Sequence, residues 1–87
     1  MNPKPQNVVG AQVRKLRYAR DLSQDELSAR CNVFGWDISR GTLAKIEAGV
    51  RCVKDAELYV LAKVLKTEPN DLYPKVEKTI REMLSSG

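Results

Sequence analysis

The chain has 87 residues, 43% apolar and 30% charged, with a formal charge of +4 at pH 7. That length and composition fit one small globular domain with one hydrophobic core, neither disordered nor fibrous. No uninterrupted apolar run approaches the ~20 residues of a membrane-spanning helix, so no membrane contact is expected.

Other classes fall away on residue type. There is no histidine, which removes His-containing zinc sites and Ser-His or Cys-His nucleophiles. Two cysteines, Cys31 and Cys52, cannot complete a zinc tetrad and read as small buried hydrophobes rather than a disulfide. No glycine-rich phosphate loop of either common pattern is present. No enzyme activity, cofactor or metal is expected. The N-terminus lacks the apolar segment of a signal peptide, so the expected location is cytoplasmic.

The charge is unevenly placed. Residues 1–22 carry Lys4, Arg14, Lys15, Arg17 and Arg20 against Asp21 alone, while residues 23–51 balance to zero. With a pI near 9.3, a polyanionic partner such as nucleic acid competes with an ordinary solvated surface as the explanation.

In chain order, residues 1–7 read as a flexible arm in which Pro3 and Pro5 forbid helix. Val9, Val13 and Leu16 mark one face of a first helix running to about Arg20. Ser23-Gln24-Asp25-Glu26 is a capping box opening a second helix, which buries Leu27 and Cys31 and closes at Asn32. Val33 to Ile38 is then a loop with several large apolar residues. Ser39 caps a third helix, about Arg40 to Ala48, which buries Leu43 and Ile46 and closes at Gly49. Leu58, Leu61, Ala62 and Leu65 mark a fourth, about Asp55 to Lys66. Pro69 preforms a short fifth element to Tyr73. Beyond Pro74, the stripe Val76, Ile80, Met83 and Leu84 predicts a terminal amphipathic helix. The class is all-α.

The second and third helices, joined by a short connection, have the form of a helix-turn-helix, in which the second helix of the pair enters the major groove. Arg40 and Lys45 are exposed there, and such cations can pair with the guanine O6/N7 edge. At this point a resemblance emerges. Val13-Arg14-Lys15-Leu16-Arg17, Leu22-Ser23-Gln24-Asp25-Glu26-Leu27, Thr42-Leu43-Ala44-Lys45-Ile46-Glu47-Ala48-Gly49, Leu61-Ala62-Lys63-Val64-Leu65 and Pro69-Asn70-Asp71-Leu72 resemble, in order and spacing, the Cro/phage-repressor (XRE-like) helix-turn-helix family.

The resemblance implies a five-helix repressor-like domain over about residues 8–73, with residues 74–87 as an additional C-terminal helix. It implies a double-stranded DNA-binding transcriptional regulator, a repressor, acting as a homodimer. Gln24 matches a glutamine that bonds a DNA phosphate. Ser39, Arg40, Gly41, Ala44 and Lys45 match the base-facing side of the recognition helix. Arg51 and Lys54 fall in the loop that follows the DNA backbone in relatives, and Arg17 with Glu47 matches a structural ion pair. Two departures stand out: about five extra residues within Val33–Ile38, and Ser28 where relatives usually carry alanine.

Competing readings accompany several of these residues. Gln24 also suits an early helix position, and Arg40 and Lys45 also suit a solvated face. Arg17 could contact DNA instead of Glu47. Val33, Phe34, Trp36 and Ile38 read as anchors pinning a long loop to the core, although an indole can also stack on a base. The terminal stripe either packs on its own domain or forms a dimer seam. The function of a different class is an antitoxin-like or adaptor module that binds a protein partner through that helix. With no ligand domain in view, any signal would come from a second protein or from protein concentration.

Overall fold

The computed structural model describes residues 4–74 and 77–85, and only the backbone of residues 77–79. Among these residues it is all helical: α1 (Gly10–Ala19), α2 (Gln24–Phe34), α3 (Arg40–Glu47), α4 (Asp55–Val64), a 3-10 turn (Pro69–Leu72) and α5 (Glu77–Leu84). Helix α3 packs against α1 and α2, α4 lies against α2, and the 3-10 turn closes the base against α1 and α4.

Local chemistry sets most helix starts. At α2 the Ser23 hydroxyl accepts the Glu26 N–H at 3.0 Å while Glu26 accepts the Ser23 N–H at 2.9 Å, which completes the capping box. At α3 the Ser39 hydroxyl accepts the Thr42 N–H at 3.1 Å. At α4 the Glu57 carboxylate accepts the Lys54 N–H at 3.0 Å. The α1 start depends on a residue that the sequence pattern leaves in the arm. Asn7 is buried, and its side-chain oxygen accepts the N–H groups of Val9 and Gly10 at 3.0 and 2.7 Å.

The apolar faces converge on one core. Val13, Leu27, Cys31, Leu43, Ile46, Leu61, Leu65 and Leu72 are fully buried, each large side chain contributing roughly 1.5–3 kcal/mol. Cys31 is buried as expected, but Cys52 is exposed in the α3–α4 loop, and both thiols are free.

The expected anchoring of the Val33–Ile38 segment needs correction. Helix α2 does not close at Asn32 but runs almost a turn further, to Phe34. It ends at Gly35, whose φ of 120° lies where only glycine sits without strain. The extra turn carries Val33 and Phe34 past the core: Val33 is 91% exposed and Phe34 50%. Phe34 instead meets the Tyr59 ring edge-on, with centroids 6.3 Å apart. Only Ile38 is buried, with Trp36 half-buried beside it. Asn32 serves the loop differently, its amide donating to the Trp36 and Ile38 carbonyls at 2.9 and 3.1 Å. Val33 and Phe34 thus belong to α2, and the loop itself starts at Gly35.

Helix α4 ends at Val64, two residues early, with Lys66 turning the chain at φ 55°. In α5, Ile80 and Met83 are half-buried while Leu84 is 76% exposed. Val76, expected in that stripe, and Pro3, expected to block helix in the arm, lie outside the described residues.

Candidate nucleic-acid interface

Helix α3 is gripped from its C-terminal end. Arg17 on α1 donates Nε and Nη2 to the two carboxylate oxygens of Glu47 at 2.7 and 2.9 Å, and its third bond goes to the Leu22 carbonyl at 2.8 Å. Both side chains are shielded, at 6% and 3% exposure. This is the bidentate geometry that makes arginine–carboxylate pairs strong and specific. Glu47 holds the Arg17 pKa above its ordinary value. Of the competing roles for Arg17, the free protein displays the structural one.

Asn7 grips the same end. Its amide donates to the Ile46 carbonyl at 3.0 Å and the Arg51 carbonyl at 2.8 Å. With the two bonds it accepts, its hydrogen-bonding capacity is filled. Gly10 lies against this junction so closely that a Cβ there would collide with the Ile46 carbonyl oxygen. Sequence reasoning missed Asn7. The available signal was an Asn just ahead of the first helical residues, where such side chains cap.

Gln24, opening α2, donates one amide hydrogen to Glu47 at 3.1 Å. Its second N–H and its carbonyl oxygen have no protein partner among the described residues, which leaves them for an external group. The leading end of α3 is open. Arg40, Gly41 and Lys45 are exposed and Ala44 is half-buried. Beyond Gly41 a Cβ would meet nothing nearer than the Ser39 hydroxyl at 3.9 Å. Ser39 spends its proton on the Thr42 hydroxyl at 3.0 Å, so it faces out mainly as a cap. Arg40 comes no closer than 4.0 Å to Asp25, and both side chains are well exposed, a weak restraint that solvent screens.

An open groove of about 510 Å³ runs between these elements, lined by Arg14, Tyr18, Gln24, Arg40, Ala44 and neighbours. It brings together three expected site residues, Gln24, Arg40 and Ala44, with two unexpected ones from α1, Arg14 and Tyr18. The signal for the latter was their spacing of four, which stacks side chains on one helix face. Arg51 and Lys54 lie apart from this groove. Arg51 is committed to Glu57 by two bonds of 2.9 and 3.0 Å, and Lys54 is exposed at the start of α4. Among the described residues no cluster of His, Cys, Asp or Glu could hold a metal ion. No helix among them is long and apolar enough to cross a membrane.

A pair of helices with the second held at its rear and open at its leading end defines a helix-turn-helix protein. The helix-turn-helix family model matches residues 13–72, and the chain belongs to that family. Among solved structures it is similar to the restriction-modification controller protein C.AhdI from Aeromonas hydrophila. The two share 31% identity over 75% of this chain and 91% of that one, with a TM-score of 0.66. No curated protein sequence matches the chain.

Proposed function

We propose that the protein is a transcriptional repressor that binds double-stranded operator DNA, reading the major groove with the leading end of α3. The observation that carries this is the outward row of exposed Arg40, Gly41 and Lys45 with half-buried Ala44, on a helix locked behind by Arg17–Glu47 and Asn7. A base-reading helix must be presented rigidly, because hydrogen bonds to base edges tolerate little misplacement. Gln24, with one N–H free beside the groove, suits a phosphate contact that sets register. Arg51 and Lys54 follow the backbone in this reading, Arg51 reaching it only by leaving Glu57. That the similar C.AhdI is a controller protein favours regulation over a purely architectural role.

Selection of bound sites from random duplex DNA tests the reading. A defined motif should emerge, and Arg40→Ala and Lys45→Ala should relax it. Removing one good base pairing costs roughly 1–3 kcal/mol of discrimination. Enrichment of no sequence, or a motif untouched by both substitutions, would remove α3 as the reading element.

The regulator acts as a homodimer in this proposal. A two-fold pair would place two α3 helices about one DNA turn, roughly 34 Å, apart and read a near-palindrome. Leu84 on α5 and Val50 in the α3–α4 loop are exposed apolar residues available for the seam. Truncation after Tyr73 distinguishes them in sedimentation. A folded monomer assigns the seam to α5, and a surviving dimer of lower thermal stability assigns it to the loop. Full-length protein that stays monomeric at high concentration discards the dimer in solution.

A further inference from the structure

Helix α1 lines the groove with two side chains that the reading of α2 and α3 does not use. Arg14 and Tyr18 are four residues apart and both exposed, Tyr18 by 61%. They lie close together: the Arg14 guanidinium carbon is 5.6 Å from the Tyr18 ring centre, and that of Arg17 is 4.6 Å from it. Both guanidinium groups thus lie over the phenol ring.

Charge pairing in the groove singles out Arg14. Arg17 is neutralised by Glu47 at 2.7 Å. Arg40 is loosely offset by Asp25 at 4.0 Å. These are the carboxylates of the groove lining, and neither approaches Arg14 within ion-pair distance. Among the described residues Arg14 is thus the uncompensated cation of this concave surface, where a fixed anion would gain most.

We propose that Arg14 and Tyr18 form a phosphodiester-binding subsite on α1, which clasps the DNA backbone beside the contact made by Gln24. This rests on the DNA-binding reading above and names a further backbone contact for it. A phosphodiester offers one negative charge and two non-bridging oxygens. A guanidinium fork matches those oxygens in a plane, and a tyrosine hydroxyl is a common donor to phosphate. The neighbouring guanidinium groups, Arg14 first, hold the Tyr18 phenol below its ordinary pKa of 10.0, which strengthens its O–H as a donor. The cation–π contacts from Arg14 and Arg17 restrain the ring, which lessens the freedom it loses on binding. Because the subsite reads only backbone, it supports every DNA sequence alike.

The test is a salt titration of binding to two duplexes, one selected and one random, by fluorescence anisotropy. Arg14→Ala should weaken both duplexes by the same factor. It should also flatten the log–log salt slope by about 0.9 per subunit, the effect of leaving one phosphate unneutralised. Arg14→Lys should restore the slope and part of the affinity, because it keeps the charge without the fork. Tyr18→Phe should weaken both duplexes several-fold with the slope unchanged, since the missing hydrogen bond carries no charge. Wild-type affinity and slope in Arg14→Ala, while Gln24→Ala and Arg40→Ala are impaired, would overturn the subsite and leave the DNA reading standing. A change confined to the selected duplex would overturn it too, by making Arg14 a base reader. Failure of the wild-type protein to bind any duplex at low salt would overturn the DNA reading itself.

Discussion

Arg17 on α1 and Glu47 at the last residue of α3 meet through two near-parallel hydrogen bonds of 2.7 and 2.9 Å in a site shielded from water. The pair joins residues 30 apart in sequence and fixes the rotation of α3 about its own axis. Breaking it by Glu47→Ala leaves a buried guanidinium without its carboxylate, holding only the Leu22 carbonyl and the Tyr18 ring. A loss of about 3–5 kcal/mol is expected, the range for orphaned buried charges. A screened surface pair would cost under about 1 kcal/mol. Thermal unfolding of the purified variant decides between them, and an unchanged melting temperature would show that the pair carries no stability.

The second grip on α3 is independent of charge. Asn7→Ala removes a side chain making four hydrogen bonds, and each buried group left unsatisfied costs about 1–3 kcal/mol. Gly10→Ala should act on the same junction by collision with the Ile46 carbonyl, at roughly 1–3 kcal/mol for overpacking. Both variants should lower the midpoint of urea unfolding. Salt-independent stability losses are expected, in contrast to those of surface charge variants. A Gly10→Ala protein as stable as wild type would mean that α1 and α3 are not in close contact.

The helix order and capping were legible because they depend on neighbours in sequence. Ser23 with Glu26 and Ser39 at the head of α3 announce their helices within four residues, and Arg17–Glu47 came through the family resemblance. Two features resisted for a physical reason. Asn7 looks like part of a proline-flanked arm, and its role exists only because the Ile46 and Arg51 carbonyls, 39 and 44 residues away, arrive beside it. Phe34 and Val33 look like loop anchors because large apolar residues usually bury. Helix α2 continues instead to Phe34 and stops only at Gly35, whose φ of 120° ends it there, and the added residues carry both side chains outward. Arg51 and Lys54 illustrate the same limit in the site, since nothing local to Arg51 shows that Glu57 occupies it in the free protein.

The two cysteines should differ sharply in reactivity. Burial pushes the Cys31 thiol up to about 11, so almost no thiolate exists near neutral pH, and the side chain is fully enclosed. Cys52 is exposed. Iodoacetamide at pH 8 should label one thiol in the native protein and two in urea, as read by intact mass. Rapid double labelling without denaturant would contradict the burial of Cys31.

Acid should weaken the fold through Glu57. The hydrogen bonds from Arg51 hold its carboxyl below the ordinary value of 4.5. A depressed folded pKa means that the contribution is complete above the unfolded value and is lost as pH falls through the folded one. Glu26, held low by the Ser23 backbone N–H, acts with the same sign. Melting temperature should therefore be insensitive to the Arg51–Glu57 pair down to about pH 5 and decline below about pH 4.5. Glu57→Gln should start lower at neutral pH and decline less steeply, and a decline as steep as wild type would remove the pair from the acid response.

The decisive measurement is the dissociation constant of the wild-type protein for its selected duplex and for a random duplex, across a series of salt concentrations. Binding to the selected duplex should be at least ~10³-fold tighter than to the random one. Its log–log salt slope should be at least about −3, the signature of several phosphates neutralised on the two subunits. Equal affinity for both duplexes, or a flat response to salt, would contradict a sequence-reading DNA-binding regulator.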